Sequence, residues 1–169
     1  TRVGGYWHML PMANQARKAI WDAINPKTGR RRIDDAFPLE LRETTREQDM
    51  FIRFKNGSTW QVVGSDNYNA LVGSPPVGGV FSEYALADPS AWSFLRPILA
   101  ENGGWALFIS TPRGRNHFAR QVEYALTDPH WFGQVLTVEE TGAISAEVIE
   151  RERREIAAER GEQEAQAII

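Results

Sequence analysis

The sequence predicts an α/β fold: a mostly parallel sheet with helices on both faces and an antiparallel hairpin added to it. Three observations carry this. Short apolar runs alternate with helical patterns from residue 79 onward, the order that yields parallel strands joined by right-handed crossovers. Residues 50–55 and 59–64 flank Asn56-Gly57-Ser58, a hairpin signal. The chain has 169 residues, 42% of them hydrophobic, enough for one domain with a real core.

Residues 4–10 (GGYWHML) are aromatic-rich and stop at Pro11, as a buried strand does. Residues 12–24 read as a helix with Ala16, Ala19, Ile20 and Ala23 on one stripe, closed by Asn25-Pro26-Lys27-Thr28-Gly29. Arg30-Arg31-Arg32 opens a polar loop to about Glu40. In the hairpin, Asn-Gly is expected to supply the positive φ angles. Ile52 and Phe54 share one face of the first strand, and Trp60 and Val62 one face of the second. Residues 65–78 are turn-rich.

Residues 79–82 are a short strand running straight into Glu83. Asp88 caps a helix with Pro89 at its first position, and Trp92, Leu95, Ile98 and Leu99 form its apolar face. Asn102-Gly103-Gly104 ends it. Residues 105–109 (WALFI) are continuously apolar, as in a strand buried on both faces. A loop at 110–116 leads into a helix at 117–126. Residues 131–138 read as another strand, and Ser145 caps a charged helix to about Arg160, with Val148, Ile149 and Ile156 facing inward.

Several classes are excluded. No apolar run approaches the roughly 18 residues of a membrane span. There is no cysteine, hence no disulfide, thiolate metal site or cysteine nucleophile. The net charge of −3 does not support a basic domain that coats nucleic acid. Sixteen of the nineteen basic residues are Arg, which suits phosphate recognition or reflects coding bias. His8, His117 and His130 lack metal-ligand spacing, and neither G-x-S-x-G nor H-E-x-x-H occurs. The chain opens on Thr1 and closes on Ala167-Ile168-Ile169, which reads as a piece of a longer protein.

Parallel sheets bind ligands beyond the C-terminal ends of their strands. Two strands end there in polar residues: Ser82-Glu83, and Ser110-Thr111-Pro112 followed by Arg113 and Arg115. A carboxylate at one strand end beside a Ser/Thr pair at the next suits activating and sensing a bound nucleotide, with Arg to stabilise phosphoryl charge. Competing readings stay open. Glu83 could be a solvated strand-end residue, Ser110-Thr111 could cap the following helix, and Arg113 and Arg115 could hold the loop through local carboxylates.

Taken together, these segments resemble one family. Gly79-Val80-Phe81-Ser82-Glu83-Tyr84-Ala85, Asp88-Pro89-Ser90-Ala91-Trp92, Asn102-Gly103-Gly104 and Thr111-Pro112-Arg113-Gly114-Arg115-Asn116 resemble the ATPase motor domain of the large subunit of viral DNA-packaging terminases. Gly5-Tyr6-Trp7, Gln15-Ala16-Arg17, Trp21 and Lys55-Asn56-Gly57-Ser58 fit the same family. The resemblance implies a RecA-like P-loop NTPase core that binds ATP and Mg2+. Phe81-Ser82-Glu83 takes the Walker B position, with Glu83 as the base that orients water and Ser82 facing magnesium through a water. Ser110-Thr111-Pro112 takes the coupling-motif position. Implied partners are double-stranded DNA, a portal protein and the small terminase subunit, within a homo-oligomeric ring in the host cytoplasm and away from membranes.

Three departures from the family pattern stand out. No G-x-x-x-x-G-K-[ST] phosphate loop is present, so Walker A is expected upstream of residue 1 and these residues alone are expected to hydrolyse ATP poorly. Ser82 replaces the usual Walker B Asp. The stretch Leu71-Val72-Gly73 lacks an Arg found in many members, so an arginine finger must come from elsewhere. Nothing supplies the acidic metal cluster of the nuclease domain that follows in the family. Two other readings compete: a non-catalytic RecA-like module that contacts DNA or portal, and a fragment of an unrelated RecA-like helicase.

Overall fold

The computed structural model describes residues 2–71, 73 and 75–161. Its residues divide into two units, Thr1–Arg120 and Gln121–Ile169.

The first unit is built on one six-stranded sheet in the order β2-β3-β4-β1-β5-β6. The strands are β1 (Gly5–Leu10), β2 (Arg42–Arg46), β3 (Phe51–Phe54), β4 (Thr59–Gly64), β5 (Gly78–Ser82) and β6 (Trp105–Ile109). β4, β1, β5 and β6 run parallel, while β2 and β3 are antiparallel additions. The expected α/β architecture is therefore present, with the hairpin's second strand itself joining the parallel set.

Alternation divides the side chains between two faces. Trp7, Met9, Val63 and Phe81 point to one face, where they pack with Ala91 and Leu95 of α3 (Pro89–Glu101). Leu10, Ile52 and Val62 point to the other. There they meet Ala16 of α1 (Ala13–Ala16), Trp21 and Ile33 of α2 (Arg32–Ala36). Trp21 is fully buried, stacks on Trp60 at 6.1 Å and donates its indole N–H to Glu47 Oε2 at 2.6 Å. Arg42, the first residue of β2, is also buried. It donates to the carbonyls of Ile33 and Phe37 and to Asp34 Oδ1 at 2.7 Å. Burial alone would raise the Asp34 carboxyl, but hydrogen bonds from Arg42 and Arg31 hold it below the usual carboxylate range.

The expected helix over 12–24 is shorter and of two kinds. After α1 the chain winds as a π-turn over Arg17–Trp21. A π-turn places residues five apart on one face, so Ala16 and Trp21 are buried while Ala19 is exposed. The polar loop expected over 30–40 contains α2, and β2 was not expected at all. Asp88 caps α3 by accepting from the Ser90 N–H at 2.8 Å, as expected. At the hairpin, Gly57 alone has positive φ (+87°), because the loop spans three residues rather than two. Gly64 ends β4 where a Cβ would run into the Ala13 backbone, so α1 starts directly against the strand.

The sharpest departure is β6. It lies at the rim of the sheet, and Trp105, Leu107 and Ile109 are 50%, 47% and 52% exposed, so only one of its faces is covered. A continuous apolar run reports hydrophobicity, not the number of neighbours.

The second unit holds the end of α4 (His117–Ala125), then α5 (Val138–Thr141) and α6 (Ala146–Arg160). Residues 131–137 are irregular, not the expected strand. A strand needs a partner's backbone groups, and among the described residues this unit has no other strand. Thr137 and Glu140 form a reciprocal capping box on α5. Ser145 caps α6 as expected, Ile149 is buried, and Val148 and Ile156 are half-buried. None of the described helices is long and apolar enough to cross a membrane.

Candidate functional site

The C-terminal ends of β5 and β6 lie side by side, since Ser82 is in register with Ile109. This brings Ser82-Glu83 next to Ser110-Thr111, the pairing expected from the sequence. Glu83 is the first residue past β5 and adopts a left-handed backbone, φ 54° and ψ 39°. For a residue with a Cβ this conformation costs roughly 1–2 kcal/mol. Such strain is retained where surrounding contacts over-determine the backbone, often at functional sites. The Glu83 side chain is half-buried, and its carboxylate has no hydrogen bond or ion pair among the described residues. It is neither fully solvated nor engaged, and both oxygens remain free to accept.

Ser82 Oγ lies 2.8 Å from His8 Nε2 on the adjoining strand β1. Burial pushes the His8 imidazole below its ordinary value, so the ring is neutral at pH 7 and carries one donor and one acceptor. His8 also lines a cleft of about 230 Å³ with Ile20, Ile33, Phe37 and Trp60. His8, Ser82, Leu107 and Ile109 share the sheet face on which β6 is open.

The loop after β6 is fastened to the turn after β5. Ser110 Oγ accepts from the Ala85 N–H at 3.1 Å. Asn116 Nδ2 donates to the Ala85 carbonyl at 3.4 Å, and His117 Nε2 donates to the Tyr84 carbonyl at 2.7 Å. Asn116 Oδ1 accepts from the N–H groups of Phe118 and Ala119, so Asn116, not Ser110 or Thr111, caps α4. Tyr84 is buried against Phe81, Phe108 and His117, and burial pushes its phenol up to about 12.

Thr111, Arg113 and Arg115 are exposed on the same loop, which turns at Gly114 with φ +66°. Neither guanidinium has a carboxylate partner among the described residues, so the loop is not held by local ion pairs. Val72 lies outside the described residues. The sequence offered no local signal for His8, whose partner is 74 residues away. Asn116 and His117 could have been noticed from their place between a glycine turn and a helix start.

Comparison with known proteins bears on this geometry. No protein-family profile matches the chain. The fold is that of the Thermus phage P74-26 large terminase ATPase domain, with TM-score 0.54 and 24% identity over 79% of this chain and 55% of that one. The large terminase of a second, thermophilic bacteriophage has TM-score 0.65 and 19% identity over 91% of this chain and 38% of that one. A structure of that second terminase with ADP matches equally well. The protein thus has the RecA-like fold of phage large-terminase ATPase domains. In sequence it is similar to the terminase large subunit of Escherichia phage T5, 32% identical over 121 residues, and is a relative of terminase large subunits. The match covers 68% of this chain and only 28% of the T5 protein's length.

Proposed function

We propose that residues 1–169 are the Walker B to coupling-motif portion of a terminase large subunit, the ATP-driven motor that packages double-stranded viral DNA. In this reading the phosphate loop precedes residue 1 and the nuclease domain follows. The motor works as a homo-oligomeric ring with portal and small subunit in the host cytoplasm. The observation that carries it is the unpaired, left-handed Glu83 beside the tethered Ser110-Thr111 loop.

Glu83 orients the attacking water and takes its proton as the water oxygen bonds to the γ-phosphorus and the β–γ bridging bond breaks. Ser82 and Glu83 fit the water- and magnesium-facing half of a nucleotide site, one hydroxyl already oriented by His8 and one free carboxylate. Magnesium, when bound, neutralises charge developing on the phosphates. Ser82 would face it through a water. Thr111 senses the nucleotide, and Arg113 and Arg115, free of local carboxylates, are the cations available to the γ-phosphate of this or a neighbouring subunit. The open face and rim of β6 support a further strand and helix there, contributed by the preceding segment with its phosphate loop.

The second reading, a binding module without turnover, is favoured by the lack of G-x-x-x-x-G-K-[ST] in these residues. One experiment separates them. In the full-length protein, Glu83→Gln keeps the side-chain size and nucleotide affinity but loses roughly 10²–10⁴ in ATP turnover. Turnover within about tenfold of wild type would remove Glu83 as the base.

A further inference from the structure

The turn 84–86 that follows Glu83 is a single 3-10 turn, too short to satisfy its own backbone. Its Ala85 N–H has no earlier carbonyl within the turn to bond, and its Ala85 carbonyl accepts from no N–H of the turn. Both groups are taken up by the loop after β6: the N–H by Ser110 Oγ at 3.1 Å, the carbonyl by Asn116 Nδ2 at 3.4 Å. The Tyr84 carbonyl, which already accepts from Ala87, accepts again from His117 Nε2 at 2.7 Å. A carbonyl only accepts, so His117 must carry its proton on Nε2. The His117 ring also stands edge-on to Tyr84 at 4.9 Å. Three side chains from one strand's loop therefore hold two consecutive peptide groups just past the other strand's strained residue.

From this geometry we infer that Asn116 and His117 are positioning residues: together with Ser110 they clamp the Tyr84-Ala85 peptides and so keep Glu83 in its left-handed conformation, with its carboxylate free. The clamp gives the second loop a direct mechanical hold on the first. A shift of the 110–117 segment pulls on the backbone that sets the direction of Glu83. The coupling between the strand ends then runs through one main-chain N–H and two carbonyls. Thr111 is not needed to touch Glu83.

The consequence for catalysis rests on the ATPase reading above; the clamp itself does not. Asn116 has a second duty as helix cap, so the variants must separate the two. Asn116→Asp keeps the capping acceptor and loses the donor. His117→Phe keeps the ring against Tyr84 and loses the donor, while His117→Gln restores one. NMR on the whole chain reads Glu83 directly, because a strong intraresidue HN–Hα cross-peak marks positive φ. Wild type and His117→Gln are expected to show it strongly. Asn116→Asp combined with His117→Phe is expected to weaken it, with β5 and β6 resonances unchanged. In the full-length protein the same double variant is expected to lose roughly 10–100-fold in kcat with KM for ATP unchanged, as misplacement of a reacting group does, and His117→Gln to recover most of it.

A folded double variant that keeps the Glu83 cross-peak at full strength overturns the inference. Should the double variant not fold, wild-type hydrogen exchange decides. The Ala85 amide must exchange at least about tenfold more slowly than an unprotected amide, and free exchange there overturns the clamp. A failed Glu83→Gln experiment would remove the ATPase reading and leave these NMR outcomes to judge the clamp alone.

Discussion

Among the described residues, Met50 and Glu83 are the two other than glycine with left-handed backbones, φ 49° and 54°. The strain is alike, but what holds it differs. Met50 precedes β3 at the antiparallel end of the sheet, and its side chain is buried with Trp21, Ile52 and Val62. Burying such a side chain contributes roughly 1.5–3 kcal/mol, more than the conformation costs. Glu83 sits at the β5–β6 end with a side chain that contacts no partner by hydrogen bond or ion pair among the described residues. Its side chain is only half-buried, and the clamp inferred above holds its conformation through the Tyr84 and Ala85 backbone. The antiparallel end spends strain on packing, whereas the β5–β6 end keeps a carboxylate strained and unengaged. The nucleotide-facing role proposed for the second end builds on that contrast.

The largest expected effect tests the packed end. Trp21→Ala removes a fully buried indole stacked on Trp60 and leaves Glu47 without its indole donor. Deleting a buried Trp costs roughly 3–5 kcal/mol, a large share of the 5–15 kcal/mol that holds a typical domain. The urea midpoint should collapse accordingly. A loss below about 1 kcal/mol would mean the cluster refills around the gap and is not the anchor of this end.

The two left-handed residues give the next test, because the same substitution should destabilise at one and not at the other. Met50→Gly relieves the backbone but forfeits the buried side chain, for a net loss of roughly 1–3 kcal/mol. Glu83→Gly relieves the backbone and forfeits only the partial burial of a side chain with no hydrogen bond or ion pair among the described residues, for an effect between zero and a gain of about 1 kcal/mol. Denaturant titration of the two variants side by side reads the signs. Destabilisation by Glu83→Gly would mean that Glu83 makes stabilising contacts, and the contrast between the two ends would fall.

The same contrast explains what could be read in the sequence. Local rules succeeded where the cause is local: the Asp88 cap, the face that Ile52 shares with Phe54 and Trp60 with Val62, and the polar ends of β5 and β6. They failed where the cause is a neighbour distant in sequence. β2 reads Arg-Glu-Thr-Thr-Arg, whose charges conceal a strand, although charge is what a rim strand carries against self-association. The π-turn is needed to bring Trp21 onto Trp60, which helical periodicity cannot foresee. Within the site, the residue types at each strand end were legible, but His8 beside Ser82 and His117 on Tyr84 arise from strand order alone.

The smallest effect concerns the uncovered face. Leu107 lies mid-strand on β6, in register with Val80, and is 47% exposed. Leu107→Thr puts a β-branched strand former with a more polar surface at this position. In these 169 residues the change should stay within about 0.5 kcal/mol, as at most surface positions. In the full-length protein the proposed preceding segment pairs with β6 and covers this face, and Leu107 becomes a core residue. The same substitution should then cost roughly 1–3 kcal/mol, through lost apolar burial and a hydroxyl moved out of water. Thermal melts of both forms, with and without Leu107→Thr, measure the difference. An equal, near-zero effect in both would mean that the upstream segment does not cover β6. The open side of the β5–β6 end would then be a surface of the finished protein.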